Sequence, residues 1–208
     1  MSYWIKTPRL IQIVFSKIIW KLQSNKKEIY LTFDDGPSSI TLEILHVLEK
    51  ENIKVTFFCT GDNVKRYPKL YDKIISAGHS VGNHSMTHLN GWKVDKKKYL
   101  FDVKKGSELI NSNLFRPPYG KINIRSISKL KKKFNIIMWD INSGDFDHGI
   151  SSKEVISNVV ASSRNGSIVV LHDNENFKSL TLPSLLPIIK GLKEKGFSFR
   201  AIPYHPLR

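Results

Sequence analysis

Short runs rich in β-branched and aromatic residues alternate with amphipathic segments along most of this 208-residue chain. The β-rich runs predict strands over residues 29–33, 55–59, 80–82, 114–116, 135–139, 167–171 and 197–202. The segments between them predict helices over residues 41–51, 69–77, 96–110, 123–132, 152–162 and 182–195. This alternation predicts a parallel α/β protein whose strands are covered on both faces. A barrel and an open doubly wound sheet both satisfy the pattern.

The first 28 residues precede the alternation. We predict an N-terminal helical extension over residues 1–28 and one domain over residues 29–208. An apolar face repeats at helical spacing in the extension, at Ile11, Phe15, Ile18 and Leu22. Four basic residues lie close to that face: Lys6, Arg9, Lys17 and Lys21. We interpret the segment as a terminal helix packed on the domain, with a basic helix lying on a membrane as the alternative.

The extension contains no predicted transmembrane segment. Its apolar run is interrupted by Gln12, Ser16 and Lys17. It is therefore far shorter than the roughly 18 residues that span a bilayer, and no small-residue cleavage site follows it. We favour a cytoplasmic location on this basis, with peripheral membrane attachment and export as the alternatives.

The charge and cysteine content exclude several classes of protein. The net charge is +15, but only 7 of the 33 basic residues are Arg, whereas proteins that read phosphates or bases rely on Arg. We therefore expect no nucleic-acid partner. A single Cys excludes an intramolecular disulfide and a cysteine-rich zinc site. No glycine-rich nucleotide-binding motif follows any predicted strand.

Ionisable residues follow several of the predicted strands, where parallel α/β proteins carry their functional groups. Asp34 and Asp35 end the first strand, and Gly36 provides a turn that lets both carboxylates share one site. His84 and His88 have the i, i+4 spacing that aligns two imidazoles on one helical face. With one aspartate they would form a metal site of two histidines and one carboxylate.

Two further strand ends carry groups suited to acid–base chemistry. Arg116 precedes two prolines that fix its loop, so it is placed to hold an aspartate ionised. His172 follows a very apolar strand and is suited to proton transfer if a carboxylate tunes it. Asp145 and Asp173 are both candidates for that carboxylate.

Five motifs stand in the order found in the polysaccharide deacetylase family, which is carbohydrate esterase family 4, or the NodB homology domain. They are Thr32-Phe33-Asp34-Asp35-Gly36-Pro37, His84-Ser85-Met86-Thr87-His88, Arg116-Pro117-Pro118-Tyr119-Gly120, Asp145-Phe146 and Leu171-His172. The chain resembles this family over residues 29–202. The resemblance implies a distorted, TIM-like (β/α)₇ barrel, here with the N-terminal helical extension. It also implies metal-dependent removal of acetyl groups from amino sugars.

The resemblance also implies roles for ten residues. Asp35, His84 and His88 would bind one divalent metal, Zn²⁺ or alternatively Co²⁺. Asp34 would be the general base, oriented by Arg116, and His172 would be the general acid, tuned by Asp145. The substrate would meet the backbone N–H of Tyr119, the side chain of Phe146 and the side chain of Leu171. Phe146 stands where the family usually has Trp, and Asn142 where an acidic residue is common.

The expected partner is an N-acetylated glycan of the peptidoglycan or chitin type. Within the family, an O-acetyl xylan esterase is the alternative. Outside it, the alternatives are an iron(II) oxygenase built on a similar triad and a basic glycan-binding protein without turnover. An oxygenase would require neither Asp34 beside Asp35 nor the loop that begins at Arg116.

Overall fold

The fold is a single curled parallel sheet surrounded by helices. The structure is a computed structural model, and it describes residues 3–207. Within these residues the strands are β1 (Glu28–Asp35), β2 (Thr56–Cys59), β3 (Ser80–Asn83), β4 (Leu114–Phe115), β5 (Asn135–Ile136), β6 (Ile141–Asn142), β7 (Ile168–His172) and β8 (Ser198–Phe199). The hydrogen-bonded order is β5-β4-β3-β2-β1-β7-β6, and β8 pairs with the start of β1. Seven parallel strands thus form a distorted (β/α)₇ half-barrel, which confirms the predicted fold.

The helices follow the predicted alternation closely. They are α1 (Arg9–Val14), α2 (Thr41–Lys50), α3 (Gly61–Arg66), α4 (Pro68–Ser76), α5 (Lys96–Ser107), α6 (Ile124–Leu130), α7 (Ser152–Ser162) and α8 (Lys178–Glu194). Ser151 and Glu154 form a capping box at the start of α7, since each side chain bonds the other residue's backbone N–H. Two of these elements were not predicted, the short helix α3 and the strand β6. With six residues α3 is too short to show a repeated apolar face, and only Asp140 separates β6 from the predicted strand over residues 135–139.

Strand β1, which lies in the interior of the sheet, organises the core. All eight of its residues are buried, because β2 and β7 pair with its two edges and helices cover the sheet. Phe33 of β1 stacks on Phe57 of β2, with ring centroids 5.2 Å apart, in the layer between the sheet and helices α2 and α8. Burial of this whole strand fixes where its last two residues, Asp34 and Asp35, emerge.

The N-terminal segment lies between the two edges of the half-barrel. Ile19 forms a parallel bridge with Ile137 directly after β5, and Lys6 forms an antiparallel bridge with Ile141 of β6. The backbone N–H of Met138 donates to Ile19 O at 2.8 Å. The amphipathic pattern predicted one helix through residue 22, but α1 ends at Val14. The chain makes a turn at residues 15–17 and then forms the bridges at Ile19 and Lys21, whose hydrogen bonds replace the helical ones. The division at residue 28 stays a prediction.

Within residues 3–207, no helix combines the length and the apolar character needed to cross a membrane.

Candidate metal centre and catalytic cleft

A cleft of about 1750 Å³ opens at the carboxyl ends of the strands. Its lining includes Asp34, Asp35, His84, His88 and His172, which come from three different strand ends. The N-terminal segment and the loop after Arg116 also line the cleft. The fold therefore brings the predicted ionisable residues to one place.

Asp34 and Asp35 reach the same site because the backbone changes direction at Asp35. Neighbouring residues of a regular strand point to opposite faces. Asp35 instead adopts a φ of 77°, in the left-handed region. Its backbone O accepts a hydrogen bond from Asn63 Nδ2 of α3 at 2.8 Å, which fixes this conformation. The turn therefore begins at Asp35 itself, one residue before the predicted Gly36.

The prediction that His84 and His88 lie on one face of a helix is wrong. No helix forms there: the residues lie in a loop after β3, in which Ser85 and His88 have φ values of 66° and 58°. The imidazole rings still converge, with centroids 5.0 Å apart. The two histidines thus share the site through a left-handed loop conformation and not through helical periodicity.

Asp102 of α5 holds this histidine loop in place. Its buried carboxylate accepts hydrogen bonds from Met86 N at 3.1 Å, Thr87 N at 3.2 Å and Thr87 Oγ1 at 2.8 Å. Three donors on one carboxylate restrict the loop strongly. Asp102 was not predicted from the sequence, because it lies in the middle of a helix and not at a strand end.

Asp35, His84 and His88 form a set of donors suited to a divalent cation. One ligand atom from each lies within 4.8 Å of the others. His88 Nε2 is 3.1 Å from Asp35 Oδ1, and His84 Nε2 is 3.7 Å from the same oxygen. Two imidazole nitrogens and one carboxylate match the three-ligand sites that bind Zn²⁺ with an open position.

The protonation of His84 also suits a ligand. Burial lowers the pKa of His84 to about 4, because desolvation outweighs the attraction of Asp34 and Asp35. The neutral ring donates Nδ1–H to Arg116 O, over 2.8 Å, and so presents the Nε2 lone pair to the cleft. Burial alone would raise the pKa of Asp35, but its hydrogen bond with His88 and the nearby histidines hold that pKa below its usual range. Asp35 is therefore ionised at neutral pH, as a metal ligand would have to be.

Arg116 fixes Asp34 from beneath the cleft. The Arg116 side chain is fully buried, and Nη1 donates to Asp34 Oδ1 at 2.7 Å and to Thr32 Oγ1 at 2.6 Å. Nε and Nη2 donate to the carbonyls of Ile137 and Met138. Because all three nitrogens of the guanidinium donate hydrogen bonds, Asp34 is held in one orientation. Its Oδ2 lies 3.8 Å from His84 Nε2.

Asp145, and not Asp173, is the carboxylate partner of His172. Asp145 Oδ1 lies 2.7 Å from His172 Nδ1, while Asp173 accepts hydrogen bonds from Ser38 and Thr41 on the other side of the strand. Burial lowers the pKa of His172, but the charge of Asp145 and its hydrogen bond more than offset this and raise it to about 9. His172 is therefore a cation at neutral pH in the structure.

The three residues expected at the substrate lie in different environments. Tyr119 is 58% exposed at the rim, where its ring centroid is 4.5 Å from that of His88. Phe146 packs edge-on against His172 at 5.5 Å and lines the cleft. Leu171, however, is not brought to the site: it points into the core beside Phe33. Since side chains alternate along a strand, Val170 shares the face of His172 and lines the cleft.

Asn174 is a further site residue that was not predicted from the sequence. Its Nδ2 donates to Asp35 Oδ2 at 2.8 Å, so it holds the oxygen of Asp35 that does not face His88. Asn174 comes two residues after β7. The rule that polar residues collect at strand ends could have identified it, but Asn has no titratable group to attract attention.

This arrangement defines a class of protein: a (β/α) barrel with a candidate metal centre at the carboxyl ends of its strands. The model of the polysaccharide deacetylase family matches residues 21–135. A peptidoglycan-N-acetylglucosamine deacetylase of Bacillus cereus is 34% identical over 188 residues, covering 86% of this chain and 68% of the relative. A chitooligosaccharide deacetylase of Rhizobium leguminosarum is 33% identical over 200 residues, covering 86% and 92%.

This chain is also similar to a solved structure of a deacetylase. The Bc1960 peptidoglycan N-acetylglucosamine deacetylase, in complex with 4-naphthalen-1-yl-N-oxidanyl-benzamide, superposes with a TM-score of 0.86 and 31% identity, and the match covers 95% of each chain. The chain belongs to the polysaccharide deacetylase family, which confirms the resemblance seen in its motifs.

Proposed function

We propose that this chain is a metal-dependent hydrolase that removes N-acetyl groups from amino-sugar polymers or oligomers of the peptidoglycan or chitin type. The observation that carries the proposal is the position of two charged pairs beside the metal triad: Asp34 with Arg116, and His172 with Asp145. One pair supplies an oriented carboxylate and the other a protonated imidazole. Amide hydrolysis requires both a proton acceptor and a proton donor.

We propose that Asp35, His84 and His88 hold the metal ion, with Zn²⁺ the first choice and Co²⁺ the alternative. A divalent ion in such a site polarises a carbonyl and lowers the pKa of a water molecule toward about 7. Asn174 would keep Asp35 in position, and the bond from His84 Nδ1 to Arg116 O would keep that ring in its ligating tautomer.

Asp34 would be the general base. Arg116 occupies Asp34 Oδ1, so Oδ2, which faces the triad, is the oxygen available to accept a proton from the attacking water. The Arg116 guanidinium, 2.7 Å from Oδ1, keeps the carboxylate in one orientation. Asp34 would therefore contribute to the reaction through its fixed position beside the attacking water.

His172 would be the general acid. The nitrogen of an amide leaves readily only after it has gained a proton, and His172 Nε2 is the ring nitrogen that Asp145 leaves free. The His172 side chain is 16% exposed, so it remains accessible from the cleft. The backbone N–H of Tyr119 would bind the oxyanion. Phe146 and Val170, in place of the expected Leu171, would contact the acetyl methyl group.

The test is acetate release from chitin oligomers, peptidoglycan fragments and acetylated xylan, with chelator and after adding back Zn²⁺ or Co²⁺. We expect chelator-sensitive release from an N-acetylated substrate and loss of turnover in Asp34→Asn with the metal retained. Release from xylan alone would favour the O-acetyl esterase. Glycan binding without acetate, from protein that holds one metal ion, would favour the binding protein, and full activity of Asp34→Asn would contradict the role of the base.

A further inference from the structure

The short helix α1 has apolar residues on its solvent side as well as on its inner side. Leu10, Ile13 and Val14 are 71%, 61% and 66% exposed, and their i, i+3, i+4 spacing places them on one face. Toward the cleft lie Ile11 and Phe15, the residue that follows α1. Apolar residues that point both toward the protein and toward solvent are typical of a helix covered on both sides, yet α1 contains no buried residue.

Exposed apolar residues are concentrated in this part of the molecule. Trp4, just before α1, is 58% exposed, and Trp92 and Ile124 across the cleft are 65% and 66% exposed. Such a concentration of exposed apolar side chains indicates a surface that contacts another body. Tryptophan is also the side chain that favours the boundary between water and lipid, because its ring is apolar and its N–H is polar.

The charge around α1 has one sign. Residues 1–27 contain six Lys and Arg residues and no Asp or Glu. Lys6, Arg9 and Lys17, which flank the apolar face, are all exposed. Basic residues beside an apolar face are the combination that binds anionic membrane surfaces, where each basic residue near the surface strengthens binding about fivefold.

We propose that the exposed face of α1, together with Trp4, is a docking surface for an anionic phospholipid bilayer. A soluble anionic polymer would pair with the lysines but would leave Leu10, Ile13 and Val14 in water. A second copy of this chain would bring an equally basic surface against the first. A bilayer with anionic headgroups satisfies both the charge and the apolar face. This inference does not depend on the reaction proposed above.

Co-sedimentation of the full chain with vesicles tests the surface directly. We expect binding to vesicles of phosphatidylglycerol and phosphatidylcholine, and binding at least about tenfold weaker to phosphatidylcholine alone. The variant Leu10→Ser, Ile13→Ser and Val14→Ser should lose at least about tenfold in affinity for the anionic vesicles. The control variant Leu42→Ser and Ile75→Ser changes exposed apolar residues elsewhere and should bind as the wild type does.

A second pair of variants separates local charge from net charge. Lys6→Gln, Arg9→Gln and Lys17→Gln should weaken vesicle binding far more than Lys97→Gln, Lys98→Gln and Lys104→Gln, which remove the same charge from α5. Thermal unfolding reports whether each variant is folded. The proposal is overturned if the wild type does not bind anionic vesicles, if the α1 variants bind like the wild type, or if soluble polyglutamate binds with the same dependence on α1.

Discussion

Replacing Asp145 by Asn tests whether this carboxylate keeps His172 protonated. Asp145 is fully buried and accepts four hydrogen bonds: Oδ1 from His172 Nδ1 and Ser143 Oγ, and Oδ2 from His172 N and Thr181 Oγ1. Asn has nearly the same shape but carries no charge, and its NH₂ group would face two of the four donors. The substitution therefore removes the attraction to the imidazolium with little change in volume.

The structure sets the size of the expected effect. Burial lowers the pKa of His172 from 6.5, and Asp145 is the chief group that raises it, to about 9. That difference corresponds to about 3 kcal/mol in favour of the imidazolium. Without the carboxylate the pKa should fall toward its ordinary value of 6.5, since Asp34 and Asp35 raise it less than Asp145 does. At about pH 8 the protonated fraction then falls from about 0.9 to as little as about 0.03, so hydrolysis of an amide should slow by up to about 30-fold.

Two measurements check this reasoning. With an N-acetyl substrate, the decrease in the rate of acetate release at high pH should begin at a lower pH in Asp145→Asn than in the wild type. The decrease in rate caused by this substitution should be much smaller for an activated acetate ester. Asp147→Asn, which removes a nearby carboxylate that does not contact His172, is the control. An unchanged basic limb in Asp145→Asn, or equal losses on amide and ester, would refute the role of His172 as an acid held protonated by Asp145.

The same pKa predicts a pH dependence of stability. The pKa of His172 is higher in the folded protein than the unfolded value of 6.5. The stabilisation is therefore complete below about pH 6.5 and is lost as the pH rises through 9. Denaturant unfolding should show a loss of wild-type stability over this range that is absent in Asp145→Asn. This comparison needs no substrate, so it remains valid if the proposed reaction is wrong.

Three further variants test the metal centre and its supports. His84→Ala with His88→Ala should abolish retention of Zn²⁺ while circular dichroism shows the fold intact; one Zn²⁺ per chain in this variant would contradict the assignment. Asn174→Ala should weaken metal affinity about tenfold by freeing one oxygen of Asp35, measured by competition with a chelator; an unchanged affinity would show that Asp35 is held without it. Asp102→Ala leaves three loop donors unpaired and should lower the free energy of unfolding by about 2 to 4 kcal/mol, measured by denaturant titration; a loss below about 0.5 kcal/mol would mean that water replaces the carboxylate.

The sequence indicated most of the fold because the signals it uses are local. Alternating strand and helix patterns located seven of the eight strands within residues 3–207 and the longer helices, and the start of α7 was readable from Ser151 and Glu154. Strand β6 was missed because only Asp140 separates it from the predicted strand over residues 135–139, so the two strands could not be told apart. The choice between a barrel and an open sheet depends on which strands pair, and the resemblance of the motifs to a family decided it before the structure did.

The candidate site was also predicted in part from the sequence. Residue type and strand-end position identified seven of its residues, and the structure brings them to the cleft or directly beneath it: Asp34, Asp35, His84, His88, Arg116, Asp145 and His172. The reason given for the histidine pair was wrong, because the loop depends on left-handed residues held by Asp102. The spacing of residues within the loop gives no information about its hydrogen bonds with Asp102, which is 15 residues from Thr87 in the sequence.

The sequence by itself determined the residue types available for chemistry and the order of strands and helices, since both follow from local patterns of side chains. Tertiary structure decided where those side chains point. Val170, and not Leu171, faces the cleft because pairing with β1 sets the face of each residue in β7. Asp145, and not Asp173, reaches His172. Helix α1 ends at Val14 because the chain beyond it pairs with residues more than 100 positions away in the sequence. These outcomes depend on contacts between distant segments, which no local pattern encodes.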